Sequence, residues 1–399
     1  MHLAHLSLEN FRNYARLELD LPAGVVVLLG GNAQGKTNLL EAIYYLATSR
    51  SFRATSDREV VNWLALEQDT AYARLVGRCE RARGPVEIEI ALRVERPEAA
   101  LTDEPTGTAK RIRVNKTARR AIDLIGQVNV VMFMPQDIGL VGGAPLLRRR
   151  YLDVTISQID APYCRTLAHY NRVVLQRNHL LRQIRDRRAK SEQLDFWDEE
   201  MVKAGTQLML QRLRAVGELN ELAEGYHREL TGTREHLRML YRPSVEMEGP
   251  PGGSAGADPA AEAAAGRAYR EQLRRLQARE TAMGMSLLGP HRDDLQFLID
   301  QVNVNLYGSR GQQRTVALSL KMAESKFLQG HAGEKPILLL DDVLSELDEP
   351  RRHFVVAAIK NGQQVVLTGT DAHAFPGNFL AEATLLKVHN GAVVRAAEV

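Results

Sequence analysis

The sequence predicts an α/β fold: a domain built on a mixed sheet, with an α-helical lobe inserted into it. Three observations lead there. A buried β-branched strand runs into GGNAQGKT and then into an apolar-faced helix, a second apolar strand ends in two adjacent aspartates, and about 300 residues separate Lys36 from Asp341. The first is a phosphate-binding strand, loop and helix, the second has the character of a parallel strand covered on both faces, and the third leaves room for a second lobe.

Composition sets the outer bounds. The chain has 399 residues, 44% of them hydrophobic and 25% charged, which is ordinary globular composition with length for two or three cores. A net charge of +3 permits a nucleic-acid partner without demanding one. Cys79 and Cys164 form neither a disulfide framework nor a paired metal motif, as expected in a reducing compartment. The opening MHLAHLSLENFRNY lacks the apolar core of a signal peptide and no run is long enough to span a bilayer, so a cytoplasmic protein without a membrane partner is expected.

The first strand is Val25 to Leu29, and the helix beyond the loop carries Leu39, Leu40, Ile43 and Leu46 on its apolar side. Between them Gly30, Asn32, Ala33, Gln34, Gly35, Lys36, Thr37 and Asn38 are the candidate nucleotide-binding residues. Glycines let backbone N–H groups turn around a β-phosphate, Lys36 reaches the β- and γ-phosphates, and the Thr37 hydroxyl can ligate Mg²⁺ beside ATP. In PILLLDDVLSELDEPRR the apolar run Ile337 to Leu340 ends in Asp341 and Asp342, whose side chains point to opposite sides. One can approach Mg²⁺ while the other faces an attacking water; a helix cap after a strand is the plainer alternative.

Between Tyr307 and Ser325 the chain reads YGSRGQQRTVALSLKMAES, with Val316, Leu320, Ala323 and Phe327 at helical spacing behind a polar cluster. That places Ser309, Gly311 and Gln312 at a helix N-terminus, either as a capped turn or as an anion site. VEIEIALRVE at 86 to 95 alternates as an antiparallel strand with one solvated face, and KRIRVNKTARR reads as a hairpin turning near Asn115 and Lys116. From Tyr163 onward, Leu167, Tyr170, Val174, Leu181 and Ile184 recur at helical spacing, and a second helix runs from Leu194 to about Leu222. The expected organisation is a head formed by 1–150 and 285–399 and a helical insertion at 151–284, with a flexible low-complexity loop at 246–266.

Two basic runs bear on partners. Lys110, Arg111, Arg113, Lys116, Arg119 and Arg120 form one without an acid; Arg177, Arg182, Arg185, Arg187, Arg188 and Lys190 form another with a single acid. Such runs are commonly solvated faces. If they contact DNA, the absence of interleaved aromatics favours duplex backbone over stacked single strands, with Lys110, Arg111, Arg113, Arg185, Arg187 and Arg188 as the candidates.

Taken in order, the phosphate loop, GSRGQQ before a helix, and LLLDD followed by SELD resemble an ABC-type ATPase head. NFRNY at 10–14, SRSFR at 49–53, MPQDIGLV at 134–141, GPHRDDL at 289–295 and GSRGQQRT further resemble the bacterial RecF family of recombination and repair proteins. The resemblance covers most of the chain except 95–109 and 246–266. It implies that Ser309, Gly311 and Gln312 belong to a signature segment that closes over ATP held by a second subunit, in a head-to-tail homodimer. It also implies that Asp341 is the Mg²⁺ acid, Asp342 the catalytic carboxylate, and Gln136 a residue that senses the γ-phosphate and metal. DNA binding under ATP control, and recombinase loading with RecR and RecO partners, would follow. Asp342 stands where many such ATPases carry Glu, and Thr370 where transporters carry a switch His, so hydrolysis should be slow. A transporter's nucleotide-binding subunit and another P-loop phosphoryl-transfer enzyme are the alternatives. GPHRDDL, with His291, Asp293 and Asp294, is a weak metal motif, and by resemblance its role is structural or near the nucleotide.

Overall fold

The computed structural model describes residues 1–67, 71–95, 107–247, 259–360, 362–371, 375 and 377–395. They form two compact units: Met1–Gln136 with Glu324–Val399, and Asp137–Ala323. The second unit holds both GPHRDDL and the segment GSRGQQRT.

The first unit contains two six-stranded sheets. One is antiparallel, in the order Tyr14–Asp20, His2–Phe11, Tyr72–Glu80, Val86–Glu95, Gly107–Val114, Thr117–Arg119. The expected hairpin closes this sheet, with Asn115 at φ 48° and Lys116 at φ 66° making its turn. The other sheet is mixed, in the order Ala392–Arg395, Thr384–His389, Gly24–Leu29, Gln364–Gly369, Ile337–Leu340, Val130–Phe133. All its pairings are parallel except that of the first two strands. The helix Lys36–Thr48 contributes Leu39, Leu40, Ile43 and Tyr45 to a core shared with Leu6, Leu8, Leu75 and Ile90 of the antiparallel sheet. Its short loop leads directly from the strand that the sheet holds by both edges.

The second unit is mainly helical, with long helices at Ala161–Arg185, Leu194–Thr231 and Pro259–Met283. It also carries a three-stranded antiparallel sheet, Val302–Asn303, Asp294–Ile299 and Leu237–Arg242, which the sequence reading did not anticipate. Of the loop expected at 246–266, residues 248–258 lie outside the described residues, while 259–266 are the opening turns of a helix. Pro259 suits a first helical turn and the following alanines favour helix, so alanine-rich composition there is structure. Among the described residues no helix is long and apolar enough to cross a membrane.

Candidate nucleotide-binding site

The glycines of the phosphate loop are required sterically. A Cβ on Gly30 would stand 2.3 Å from the Val388 carbonyl oxygen, and one on Gly35, at φ 115°, would stand 2.5 Å from the Asn13 side chain. Any side chain at either place would push on backbone or force a left-handed strain. Ala33 also lies at positive φ, 62°. The loop is braced from outside: Asn13 Nδ2 donates to the Gln34 carbonyl at 3.0 Å, Tyr14 Oη donates to the Gly35 carbonyl at 3.0 Å, and the Asn390 N–H donates to Gln34 Oε1 at 2.8 Å. Asn38 Nδ2 donates to Asn13 Oδ1 at 2.8 Å. NFRNY thus supports the loop, and Arg12 clamps the buried Glu41 of the following helix through two bonds of 2.8 and 2.7 Å.

Lys36 Nζ donates to the Gly30 and Gly31 carbonyls at 2.6 and 2.8 Å. Burial lowers its pKa from the ordinary lysine value, and the fields of Asp342 and Asp341 oppose that shift. The lysine and both aspartates therefore share one electrostatic neighbourhood. Thr37 Oγ1 donates to Asp341 Oδ1 at 2.9 Å, joining the loop to the acid two strands away. The strand between them supplies Thr368, whose hydroxyl donates to Asp341 Oδ1 at 2.8 Å and accepts the Asp342 N–H at 2.9 Å. Thr368 was missed from sequence, because only the sheet order brings it beside Asp341. Asp342 is exposed and held at φ 51°, an unfavourable backbone region for a non-glycine residue and one that often marks a functional position. Gln136 is exposed three residues beyond the strand Val130–Phe133, which pairs in parallel with Ile337–Leu340.

In the second unit, Ser309 precedes the helix Arg310–Ala332. Ser309 and Gln312 cap each other: the Gln312 N–H donates to Ser309 Oγ at 3.2 Å, and the Ser309 N–H donates to Gln312 Oε1 at 3.1 Å. Gly311 is exposed on the same first turn. GPHRDDL is a packed knot. Gly289, at φ 118°, leaves no room for a Cβ against the Tyr269 and Tyr170 hydroxyls, and His291 Nδ1 lies 2.7 Å from Tyr170 Oη. Asp293 is buried against Tyr241, Arg212 and the Ser244 N–H, while Asp294 makes two bonds to Arg148. Burial raises the Asp293 pKa and lowers that of His291 to about 4. Among the described residues no group of three His, Cys, Asp or Glu side chains could hold a metal.

The basic runs divide by face. Lys110 is turned inward: its ammonium pairs with Asp57 at 2.7 Å, donates to the Ser49 carbonyl at 2.8 Å and sits over the Tyr45 ring. Arg111 and Arg113 are exposed, and Arg113 meets Glu89 at 3.3 Å. Arg185, Arg187 and Arg188 are exposed, with Arg185 at 3.2 Å from Asp186. Arg177, from the same run, is fully buried and bonded to Asp198, Glu280 and Ser286.

A glycine-built phosphate loop tied through threonine to an aspartate on a parallel strand defines an ATPase head of the ABC and SMC type. A family model described as the RecF/RecN/SMC N terminal domain matches residues 2–378. The DNA replication and repair protein RecF of Chloroflexus aurantiacus is 44% identical over 402 residues, covering 98% of this chain and 99% of that relative. The RecF of Halalkalibacterium halodurans is 36% identical over 98% of this chain and 99% of its own. Solved structures of the recombination mediator protein RecF with ATP agree at a TM-score of 0.85 and 30% identity, over 99% of this chain and 98% of theirs. An Smc head domain of Pyrococcus furiosus shares the fold at a TM-score of 0.51. The chain belongs to the RecF family of DNA replication and repair proteins, which sets aside the transporter subunit and the other P-loop phosphoryl-transfer enzyme as alternatives.

Proposed function

We propose that this chain binds DNA under the control of ATP in recombinational repair and replication-gap processing, with ATP shared between two copies arranged head to tail. The bond from Thr37 Oγ1 to Asp341 Oδ1 at 2.9 Å carries the reading. Hydroxyl and carboxylate oxygens are the hard donors that suit Mg²⁺, which would be held there and, when bound, would neutralise charge on the phosphate oxygens. Lys36 and the loop hold the triphosphate. Asp342 accepts the proton of the attacking water as its oxygen bonds to the γ-phosphorus and the bond to ADP breaks. Gln136 would complete the contact with the γ-phosphate.

Ser309 Oγ accepts the Gln312 N–H, so its own hydrogen remains to be donated to a phosphate oxygen of the second copy's ATP. DNA phosphates would be met by Arg111, Arg113, Arg185, Arg187 and Arg188, and not by the internally paired Lys110. With Asp342 in place of the longer Glu, hydrolysis is a slow, DNA-responsive timer that ends DNA binding, and RecO and RecR partners join in recombinase loading.

Light scattering with and without ATP, on and off a gapped duplex, tests the dimer. Lys36→Ala and Ser309→Arg chains should each fail to associate alone. Mixed in equal amounts they should form heterodimers with one intact composite site, restoring between about a quarter and about a half of the unmodified turnover per chain. Normal hydrolysis by Ser309→Arg alone would refute the shared site.

A further inference from the structure

A buried histidine is linked through Glu235 to the turn that carries Ser309 and Gln312. The helix Leu194–Thr231 ends in Gly232 at φ 64° and Thr233 at φ 63°, and this tight reversal carries Glu235 back to His227, eight residues earlier. His227 is fully buried, with Nδ1 3.2 Å from Ser319 Oγ and Nε2 3.1 Å from Glu235 Oε2. The other carboxylate oxygen, Oε1, accepts from Gln312 Nε2 at 3.1 Å.

The chemistry of these groups decides which way the Gln312 amide faces. An ionised carboxylate only accepts, so Glu235 requires the NH₂ of Gln312 and leaves its carbonyl for the Ser309 N–H, the bond observed at 3.1 Å. Reversing the amide would set two acceptors against each other at Glu235 and a donor against the Ser309 N–H. On the other side, Asn305 ties the short helix Val304–Tyr307 to the strand Asp294–Ile299 by accepting the Phe297 N–H at 2.7 Å and donating to the Leu295 carbonyl at 3.2 Å. The exposed residues from Ser309 to Gly311 are thus held between two side-chain clamps.

We propose that Glu235, seated on His227, is a positioning residue for the signature segment: it sets the Gln312 amide and so presents the Ser309 hydroxyl to the second copy's nucleotide. The claim rests on the shared-site reading for its functional consequence, but its structural part can be measured without nucleotide or dimer. Hydrogen exchange of a peptide spanning 308–316, in the full chain without ATP, reads the clamp directly. Glu235→Ala should speed exchange at the Ser309 and Gln312 amides by about five- to tenfold, the net worth of one ordinary intramolecular hydrogen bond. Glu235→Gln can still accept from Gln312 and donate to His227, and should stay within about twofold of the unmodified protein.

With ATP, Glu235→Ala should bind a fluorescent ATP analogue as the unmodified chain does. Its ATP-dependent association by light scattering should weaken about five- to tenfold, with Glu235→Gln restoring it. The double variant with Gln312→Ala should associate no more weakly than Gln312→Ala alone, since both changes remove one linkage. Unchanged exchange in Glu235→Ala, or additive losses in the double variant, would overturn the positioning role. Faster exchange in Glu235→Ala together with full association by Ser309→Arg would instead overturn the shared site while leaving the clamp standing.

Discussion

If the outward arginines meet DNA phosphates and Lys110 does not, their substitutions should differ in kind. Replacing Arg185, Arg187 and Arg188 by Ala removes three exposed cations, one of which already shares its charge with Asp186. Two to three phosphate contacts should therefore be lost, and the slope of log affinity against log salt should flatten by about 0.9 for each. Between about 50 and 200 mM salt, affinity should fall about tenfold to fortyfold less steeply than for the unmodified protein. Lys110→Ala should leave that slope alone and should instead destabilise the first unit by about 2 kcal/mol, because it removes charge-assisted bonds to Asp57 and Ser49 from a largely enclosed site.

Fluorescence anisotropy of a labelled gapped duplex, titrated with protein and ATP across a salt series, measures the slopes, and urea unfolding measures the stability. A flatter slope in Lys110→Ala, or an unchanged one in the triple arginine variant, would refute the assignment of faces. Arg111→Ala should act as a single contact. Arg113→Ala should act more weakly, since Glu89 stands 3.3 Å from it.

The division of the basic runs was readable in the sequence by period alone. Lys110 alternates with Arg111 and shares its strand face with Ile112, which is buried, so the run KRIR splits into an inward and an outward pair. Arg177 falls three and four residues from Val174, Val173 and Leu181, on the apolar face of its helix, although charge counting alone joins it to the solvated run. The phosphate loop and the aspartate pair were legible because each is a local signal: a β-branched run, turn residues, and a helix or an acid at a fixed offset. The partners of those residues were not. Thr368 meets Asp341, and Glu235 meets Gln312, through strand order and a chain reversal that no local spacing encodes. The strand Leu237–Arg242 does alternate, but its partner Asp294–Ile299 lies more than fifty residues on, and local pattern cannot choose that pairing.

Asp342→Asn should retain ATP binding and ATP-dependent association, because Asp341 keeps its bonds to Thr37 and Thr368, while phosphate release falls by about a hundredfold or more. Undiminished release would remove Asp342 as the base. Glu280→Ala should destabilise the helical unit by about 3 kcal/mol or more, since the fully buried Arg177 would keep only Asp198 as a counter-charge; a melting curve that does not shift would refute that dependence. The last expectation concerns pH and His291, whose pKa burial lowers to about 4. Its Nδ1 accepts from Tyr170 Oη at 2.7 Å and its Nε2 donates to the Ser286 carbonyl at 3.2 Å, an arrangement that needs the neutral ring, and Arg292, Arg149 and Arg177 further disfavour a positive charge there. The unfolded chain takes up the proton near pH 6.5, the folded chain only near 4, so stability should be whole above pH 6.5 and decline as pH falls toward 4, by about 3 kcal/mol in all. Carboxylates titrate in the same range, so the measurement is the difference between unmodified protein and His291→Gln in urea unfolding at a series of pH values. The variant should be less stable at pH 7 and should close that gap as the pH drops, because glutamine has no proton to gain. Parallel curves would show that His291 is not held neutral by the knot around it.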